Sequence, residues 1–145
     1  MRQEMKLEFD SIPSNESFAR VVVAAFLTRL NPTMEEVADI KTAISEAVTN
    51  AIIHGYNNEV HKIEIVASVE GEIFTVSVRD FGVGIEDIAK AMEPLYTTRR
   101  DLERSGMGFV FMEAFMDTIR VESKKDEGTK VTMTKKIGRR YEKQG

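Results

Sequence analysis

Three short segments of the chain combine residue types that could bind a nucleotide, and they follow one another in a fixed order. Glu46–His54 offers a carboxylate and an amide one helical turn apart. Asp80–Gly84 offers a carboxylate and a glycine-containing turn, and Ser105–Phe109 offers small residues at the start of an apolar segment. Each segment is a weak signal alone. In this order they predict a pocket for ATP and Mg²⁺ that uses neither a P-loop nor a Rossmann turn.

The first segment places Glu46 and Asn50 on one side of a helix, because residues four apart share a helix face. The amide oxygen of Asn50 suits Mg²⁺, which takes its other oxygens from water and phosphate. The carboxylate of Glu46 could orient or deprotonate an attacking hydroxyl. His54 lies four residues after Asn50 and therefore on the same side of the helix. The alternative is a solvated helix face on which the Glu46–Asn50 pair is incidental and His54 is structural.

The second segment is predicted to send a carboxylate toward the protein core. Asp80 has the same strand parity as the apolar Val76 and Val78. A buried charge must be paired or hydrogen-bonded, and the exocyclic amine of adenine could donate to it. Gly82 and Gly84 would let the backbone pass close to a flat base. The alternative is an aspartate that only caps a turn at the end of a strand.

The third segment opens a helix with glycines, which lets an anion approach the free N–H groups of the first turn. Arg104 stands just before it and could reach a γ-phosphate during phosphoryl transfer. A plain helix-start turn and a solvated basic cluster are the competing interpretations. The nucleotide-binding residues predicted in this part of the chain are Thr97, Thr98, Ser105, Gly106, Met107, Gly108 and Phe109, with Thr129 at the start of the last strand.

The periodicity of apolar residues predicts the elements that hold these segments. A capping box of Thr33 and Glu36 starts the long helix that carries Glu46, and Gly55 is predicted to end that helix in the left-handed conformation. The predicted strands are 5–9, 63–69, 74–78, 119–121 and 131–133, and the predicted helices are 15–30, 34–54 and 108–115, with a weakly periodic flap from 85 to 104.

The element order favours an α+β fold in the wider α/β class, a two-layer sandwich with a mixed, mostly antiparallel sheet and helices on one face. Its 145 residues suit a single domain, 1–145. The absence of cysteine excludes disulfides and thiol nucleophiles and fits a cytoplasmic protein. No apolar run is long enough to span a membrane, and a formal charge of −4 argues against nucleic acid as a direct partner.

Together the three segments resemble the GHKL ATP-binding fold of gyrase, Hsp90-type chaperones, histidine kinases and MutL. Glu46–His54 is similar to its N box, Asp80–Gly84 to its G1 box and Gly106–Gly108 to its G2 box, while Gly128-Thr129 resembles its final Gly-Thr. Within that fold, Glu46–Tyr56 resembles the small anti-sigma serine kinases of Gram-positive bacteria. The resemblance covers nearly the whole chain.

The resemblance implies a cytoplasmic bacterial protein that binds ATP or ADP with Mg²⁺. It implies that the chain holds a sporulation sigma factor away from RNA polymerase and phosphorylates a serine of an anti-anti-sigma protein, and that it works as a homodimer. By the same resemblance, Asn50 would hold Mg²⁺, Glu46 would act as general base and Asp80 would read the adenine amine. Gly82, Gly84 and 106–109 would line the nucleotide.

Three other functions compete with this hypothesis. A histidine kinase catalytic domain would normally accompany a helical hairpin with an acceptor histidine, and the chain has only His54 and His61. A gyrase- or chaperone-type ATPase needs further domains. A module that holds ATP without using it would not need Glu46. For the protein partners, the candidate contact is Arg20, which lies among apolar residues on the first predicted helix.

Overall fold

The computed structural model describes residues 1–92 and 108–138. The strands are β1 (Arg2–Asp10), β2 (Lys62–Glu70), β3 (Ile73–Asp80), β4 (Thr118–Lys124) and β5 (Gly128–Lys136). The helices are α1 (Ser14–Leu27), α2 (Met34–Asn50), the single turn α3 (Ile88–Ala91) and α4 (Gly108–Phe115). A 3₁₀ turn (Thr28–Leu30) follows α1, and a π-helical turn (Ala51–Gly55) follows α2.

The five strands form one sheet in the order β1-β2-β3-β5-β4, and each neighbouring pair is antiparallel. The register aligns apolar residues across the sheet: Ile65 lies opposite Leu7 on one side and Val78 on the other. Because side chains alternate along a strand, these residues share one face, and that face carries the core. The predicted α+β fold is confirmed, with an entirely antiparallel sheet.

Two long helices cover the apolar face. Helix α1 buries Ala19, Val23, Phe26 and Leu27, and α2 buries Ile40, Ala43, Ile44, Ala47 and Val48. Both sets recur at intervals of three or four residues, which places them on one side of each helix. None of the helices in the described part of the chain is long and apolar enough to cross a membrane.

The end of the long helix differs from the sequence-based expectation. The helix was predicted to run to about His54, and the chain is indeed helical through Gly55. The prediction that Gly55 is a left-handed cap is wrong, because Gly55 is the last residue of a π-helical turn. The α-helix ends at Asn50 and widens into the π-helical turn. The left-handed residues after it are Asn57 and Asn58, with φ values of 51° and 66°. A Cβ atom on Gly55 would lie 2.7 Å from the Asp80 carboxylate, so tertiary packing requires this glycine.

Part of the predicted flap forms the short helix α3. Helix α3 begins after Asp87, whose side chain accepts a hydrogen bond from the Lys90 N–H at 3.0 Å. Residues 93–104 of the predicted flap lie outside the described residues.

The capping box at the start of α2 is confirmed. The Thr33 hydroxyl accepts the Glu36 N–H at 3.0 Å, and the Thr33 N–H donates to the Glu36 carboxylate at 2.8 Å. A second Glu36 oxygen accepts the Gly138 N–H at 3.1 Å. The cap therefore also fixes the chain after the last strand.

We expect Thr33→Ala to lower the free energy of unfolding by about 1 kcal/mol, because one N–H of the first helical turn loses its acceptor. Urea unfolding followed by circular dichroism measures the change. The neighbouring Met34→Ala is the control, since the Met34 side chain is 90% exposed. Equal unfolding curves for Thr33→Ala and wild type would contradict the stabilising role of the cap.

Candidate nucleotide-binding site

The largest cavity described, about 550 Å³, opens between α2, the end of β3 and the start of α4. Its walls combine apolar side chains, such as Val78 and Phe109, with the polar side chains that the sequence singled out. Of the predicted site residues, it is lined by Asn50, His54, Asp80, Gly84, Gly108, Phe109 and Thr129. The three sequence segments therefore meet at one place, which the sequence alone could only suggest.

Glu46 and Asn50 converge on the first residue of α4. A Cβ atom on Gly108 would lie 3.1 Å from the Glu46 carboxylate and 3.1 Å from both polar atoms of the Asn50 amide. Both side chains are partly exposed, although their neighbours Ala47 and Ala51 are buried. Glu46 and Asn50 therefore share one side of the helix, as predicted, and that side lies next to its buried face. The absence of a side chain at 108 keeps the space in front of the two groups open.

Asp80 is the buried charge of the site, with 5% of its surface exposed. Its carboxylate accepts the Gly82 N–H at 2.9 Å and the backbone N–H of Thr129. Within residues 1–92 and 108–138, no cation pairs with it. Burial raises the pKa of Asp80 to about 6, and the two N–H donors offset part of that effect. The parity-based prediction of a core-facing carboxylate is correct.

The segment after Asp80 is held by hydrogen bonds to residues 55 and 56 and to β4. The Phe81 N–H donates to the Tyr56 hydroxyl at 2.7 Å, and the Val83 N–H donates to the Gly55 carbonyl at 3.0 Å. Further on, the Ile85 N–H donates to a hydroxyl of β4, that of Ser123, at 2.7 Å. A backbone anchored this often has a fixed path past the cavity.

The glycines of this segment make close contacts with other backbone segments. A Cβ atom on Gly82 would lie 1.9 Å from the Gly55 carbonyl oxygen, and one on Gly84 would lie 2.3 Å from the Lys124 carbonyl oxygen. Gly84 also has a φ of +80°. Gly84 lines the large cavity, whereas Gly82 lines a smaller one of about 350 Å³ on the other side of the segment.

Thr129 lies directly opposite Asp80 in the β3–β5 register. Its hydroxyl forms a hydrogen bond of 2.8 Å with the Ser123 hydroxyl, while its backbone N–H serves Asp80. Thr129 thus contributes to the Asp80 end of the cavity.

The remaining predicted site residues either fall outside the described residues or lie away from the cavity. Thr97, Thr98, Arg104, Ser105, Gly106 and Met107 are outside the described residues. Arg20 is on α1 and does not line the cavity; its guanidinium lies 3.4 Å from the Glu16 carboxylate and donates to the Ser17 hydroxyl at 3.0 Å.

Sequence reasoning missed several residues that shape the site. Gly55, Asn57 and Lys90 line the large cavity, and Tyr56 holds the segment after Asp80. Gly55 and Tyr56 directly follow the first segment, and this position in the sequence hinted at a role in the site. The contact between Gly55 and Asp80 is visible only in three dimensions. Lys90 lies in a weakly periodic region that gave no signal.

The side-chain oxygen atoms near Gly108 suit a hard cation that takes most of its ligands from phosphate and water. Within the described ranges, no three His, Cys, Asp or Glu side chains gather to hold a metal by themselves. Mg²⁺ usually takes one or two protein oxygens and completes its shell with phosphates and water. The amide oxygen of Asn50 and the carboxylate of Glu46 are of that kind and share one site.

Comparison with known proteins agrees with the fold. Residues 10–135 match the family profile described as the histidine kinase-like ATPase domain. Among solved structures, the RsbU and RsbW domains of Rv1364c from Mycobacterium tuberculosis superpose with a TM-score of 0.67 at 23% identity, over 93% of this chain and 32% of that one. The catalytic domain of the histidine kinase ThkA superposes with a TM-score of 0.56 at 18% identity, over 92% and 96%. These two likenesses concern the fold.

Sequence relatives are much closer. The anti-sigma F factor of Clostridium acetobutylicum is 58% identical over 137 residues, which cover 94% of this chain and 96% of the relative. The anti-sigma F factor of Clostridium botulinum (strain Eklund 17B / Type B) is 60% identical, over 92% and 94%. The chain belongs to the histidine kinase-like ATPase family and, within it, to the group of the anti-sigma F factors.

The raised pKa of Asp80 predicts a pH-dependent stability in the absence of nucleotide. The folded state holds the proton up to about pH 6, whereas an ordinary aspartate loses it near 3.8, so ionisation between these values destabilises the fold. We expect the free energy of unfolding of wild type, relative to Asp80→Asn, to fall by up to roughly 3 kcal/mol between pH 4 and 7.

Urea unfolding of both proteins at several pH values measures this difference, and the shared titrating groups cancel between them. A difference that stays constant from pH 4 to 7, or one that grows in favour of wild type, would contradict the burial of an unpaired carboxylate.

Proposed function

We propose that the chain is an anti-sigma factor that binds ATP with Mg²⁺ and transfers the γ-phosphoryl group to a serine of an anti-anti-sigma protein. The observation that carries this proposal is that Asn50 and Asp80 line one cavity from two elements, with Glu46 next to Gly108, which also lines that cavity. The names of the relatives supply the anti-sigma role, and the family profile supplies the use of ATP.

Adenine is the base that suits the Asp80 end. With a pKa of about 6, the Asp80 carboxylate is mainly ionised at neutral pH and accepts a hydrogen bond from the exocyclic amine. Guanine would present a carbonyl oxygen to the same carboxylate, and two acceptors repel. Burial makes this discrimination stronger than it would be in water.

The triphosphate would extend toward Asn50 and Glu46. Mg²⁺, when bound there, would supply positive charge to the phosphate oxygens. The Glu46 carboxylate takes the proton of the attacking serine hydroxyl, whose oxygen forms the new bond to the γ-phosphorus. The bond from that phosphorus to the bridging oxygen breaks, and ADP leaves. The other contacts to the bound nucleotide would come from Thr97, Thr98, Arg104 and 105–109.

A carboxylate at position 46 favours a hydroxyl acceptor over a histidine. A neutral imidazole nitrogen already carries a free electron pair, whereas a serine hydroxyl must lose its proton during attack. Glu46 is therefore most useful for transfer to serine.

The partner surface would include α1. On the same helix, Val21 next to Arg20 is 61% exposed, and Phe18, one turn before Val21, is 51% exposed. Exposed apolar side chains beside an arginine are typical of protein interfaces. This surface serves the sigma factor or the anti-anti-sigma protein in the proposal, and the active protein is a homodimer in the cytoplasm.

The test is transfer of radiolabel from γ-labelled ATP to a purified anti-anti-sigma protein. Acid-stable label on a serine of that protein, dependent on Mg²⁺, is the expected result. Acid-labile label on a histidine of the chain would favour a histidine kinase, and ATP binding without transfer would favour a holding module; either outcome overturns the kinase proposal.

Glu46→Gln is expected to bind ATP with unchanged affinity and to transfer phosphate at least about 10²-fold more slowly, because the amide cannot accept the proton. Calorimetry measures binding and the label assay measures transfer. Glu35→Gln is the matched control, since Glu35 is an exposed carboxylate on the same helix. Normal transfer by Glu46→Gln would remove Glu46 from the role of base.

Asn50→Ala is expected to weaken ATP binding in Mg²⁺ by about tenfold, as the loss of an oxygen that contacts a charged ligand predicts. In EDTA the affinity should match that of wild type, so the ratio of the two affinities is the readout. Thr49→Ala, on the neighbouring helix position, serves as control. An unchanged Mg²⁺ dependence would mean that Asn50 does not contact the metal.

A further inference from the structure

We propose that Tyr56 is a positioning residue that sets the adenine specificity of the site, because its hydroxyl fixes the Asp80–Phe81 peptide and thereby the direction of the Asp80 carboxylate. The inference rests on the proposed function, since it concerns the base that Asp80 reads. Tyr56 lies outside the cavity that would hold the nucleotide, so it acts through Asp80 and does not touch the base.

The Tyr56 hydroxyl is a buried bridge between two backbone segments. Tyr56 is 5% exposed, and its hydroxyl accepts the Phe81 N–H at 2.7 Å while donating to the Lys62 carbonyl. The Phe81 N–H belongs to the same peptide group as the Asp80 carbonyl. The bridge therefore connects the first residue of β2 directly to the peptide that carries Asp80.

The other side of this peptide is closed by β5. A Cβ atom on Gly128 would lie 2.1 Å from the Asp80 carbonyl oxygen and 2.7 Å from the Phe81 Cα. The peptide thus cannot move toward β5. On the side of Tyr56, by contrast, it is held by a hydrogen bond.

A cavity of about 350 Å³ lies on that side, and Tyr56, Phe81, Gly82 and Val83 are among its walls. The Phe81 side chain is 47% exposed. Packing therefore leaves the segment room to move once the bridge is lost. Because the Gly82 N–H is one of the donors to the Asp80 carboxylate, such a movement would also turn the carboxylate away from its present direction.

The protonation of Tyr56 keeps this bridge intact at physiological pH. Burial raises the pKa of the Tyr56 hydroxyl, the hydrogen bond from Phe81 lowers it in part, and the nearby Asp80 charge raises it further. The hydroxyl therefore remains a donor to Lys62 and an acceptor for Phe81 throughout the range in which Asp80 ionises.

Ser11, in the connection between β1 and α1, provides a matched control because its hydroxyl binds the same loop that carries Tyr56. Ser11 is 2% exposed. Its hydroxyl accepts the His61 N–H at 2.9 Å and donates to the Glu59 carbonyl at 3.0 Å. Like Tyr56, it bridges two backbone groups, but both groups belong to residues 59 and 61 and neither to the segment after Asp80. Removing either hydroxyl leaves buried backbone groups unpaired, which destabilises a fold by about 1–3 kcal/mol.

The experiment compares the affinities of the full chain for ATP and ITP in Mg²⁺, in wild type, Tyr56→Phe and Ser11→Ala. ITP has an oxygen in place of the exocyclic amine of adenine. The ratio of the two affinities therefore measures the contribution of the hydrogen bond between that amine and the Asp80 carboxylate. In Tyr56→Phe we expect this preference for ATP to fall about tenfold, with ITP affinity and the turnover at saturating ATP unchanged. In Ser11→Ala we expect the wild-type preference, although urea unfolding shows a similar loss of stability.

Hydrogen exchange of the Phe81 amide, measured by NMR without nucleotide, gives a readout that does not depend on ATP. It should become at least about tenfold faster in Tyr56→Phe and stay at the wild-type rate in Ser11→Ala. An unchanged ATP preference in Tyr56→Phe, or an equal loss in Ser11→Ala, would overturn the inference. A wild type that binds no ATP, or prefers ITP, would instead overturn the proposed function.

Discussion

The buried carboxylate of Asp80 is the constraint on which the rest of the site depends. It is desolvated and served by two backbone N–H groups. The surrounding chain must leave room for it, and it does so with glycines from three elements. Gly55 and Gly82 would bring a Cβ atom to within 2.7 and 3.1 Å of the carboxylate, and Gly128 would collide with the Asp80 carbonyl. Any larger residue at these positions would displace the charge.

The same constraint explains the shape of the helix end. In the π-helical turn after Asn50, the wider ring of the backbone brings Gly55 against Asp80 while Asn50 and His54 still face the cavity. Directly after the turn, Tyr56 reaches the peptide of Phe81. One continuous segment, 46–56, therefore supplies Glu46 and Asn50 near Gly108 and also supports Asp80 at the other end of the site. A displacement of α2 would alter both ends together.

Much of this arrangement could be predicted from local patterns. Spacing by four placed Glu46 and Asn50 on one helix edge, and alternation placed Asp80 on the core side of its strand. The start of α4 at Gly108 followed from the apolar run after it. These features depend only on the period of a helix or a strand, and such periods are written in the sequence.

The remainder depends on contacts between distant residues. Gly55 resembled an ordinary helix cap, because the carboxylate that excludes a side chain there comes from β3. Gly82 resembled a residue that faces a base, but its close neighbour is the Gly55 carbonyl. The burial of Asp80 also bears on the proposed function. A donor from adenine would stabilise the charged carboxylate, so binding would draw part of its free energy from a charge that the fold alone holds at a disadvantage. In the proposed site, the hydrogen bonds that aim Asp80 would therefore contribute both to recognition and to the stability of the fold.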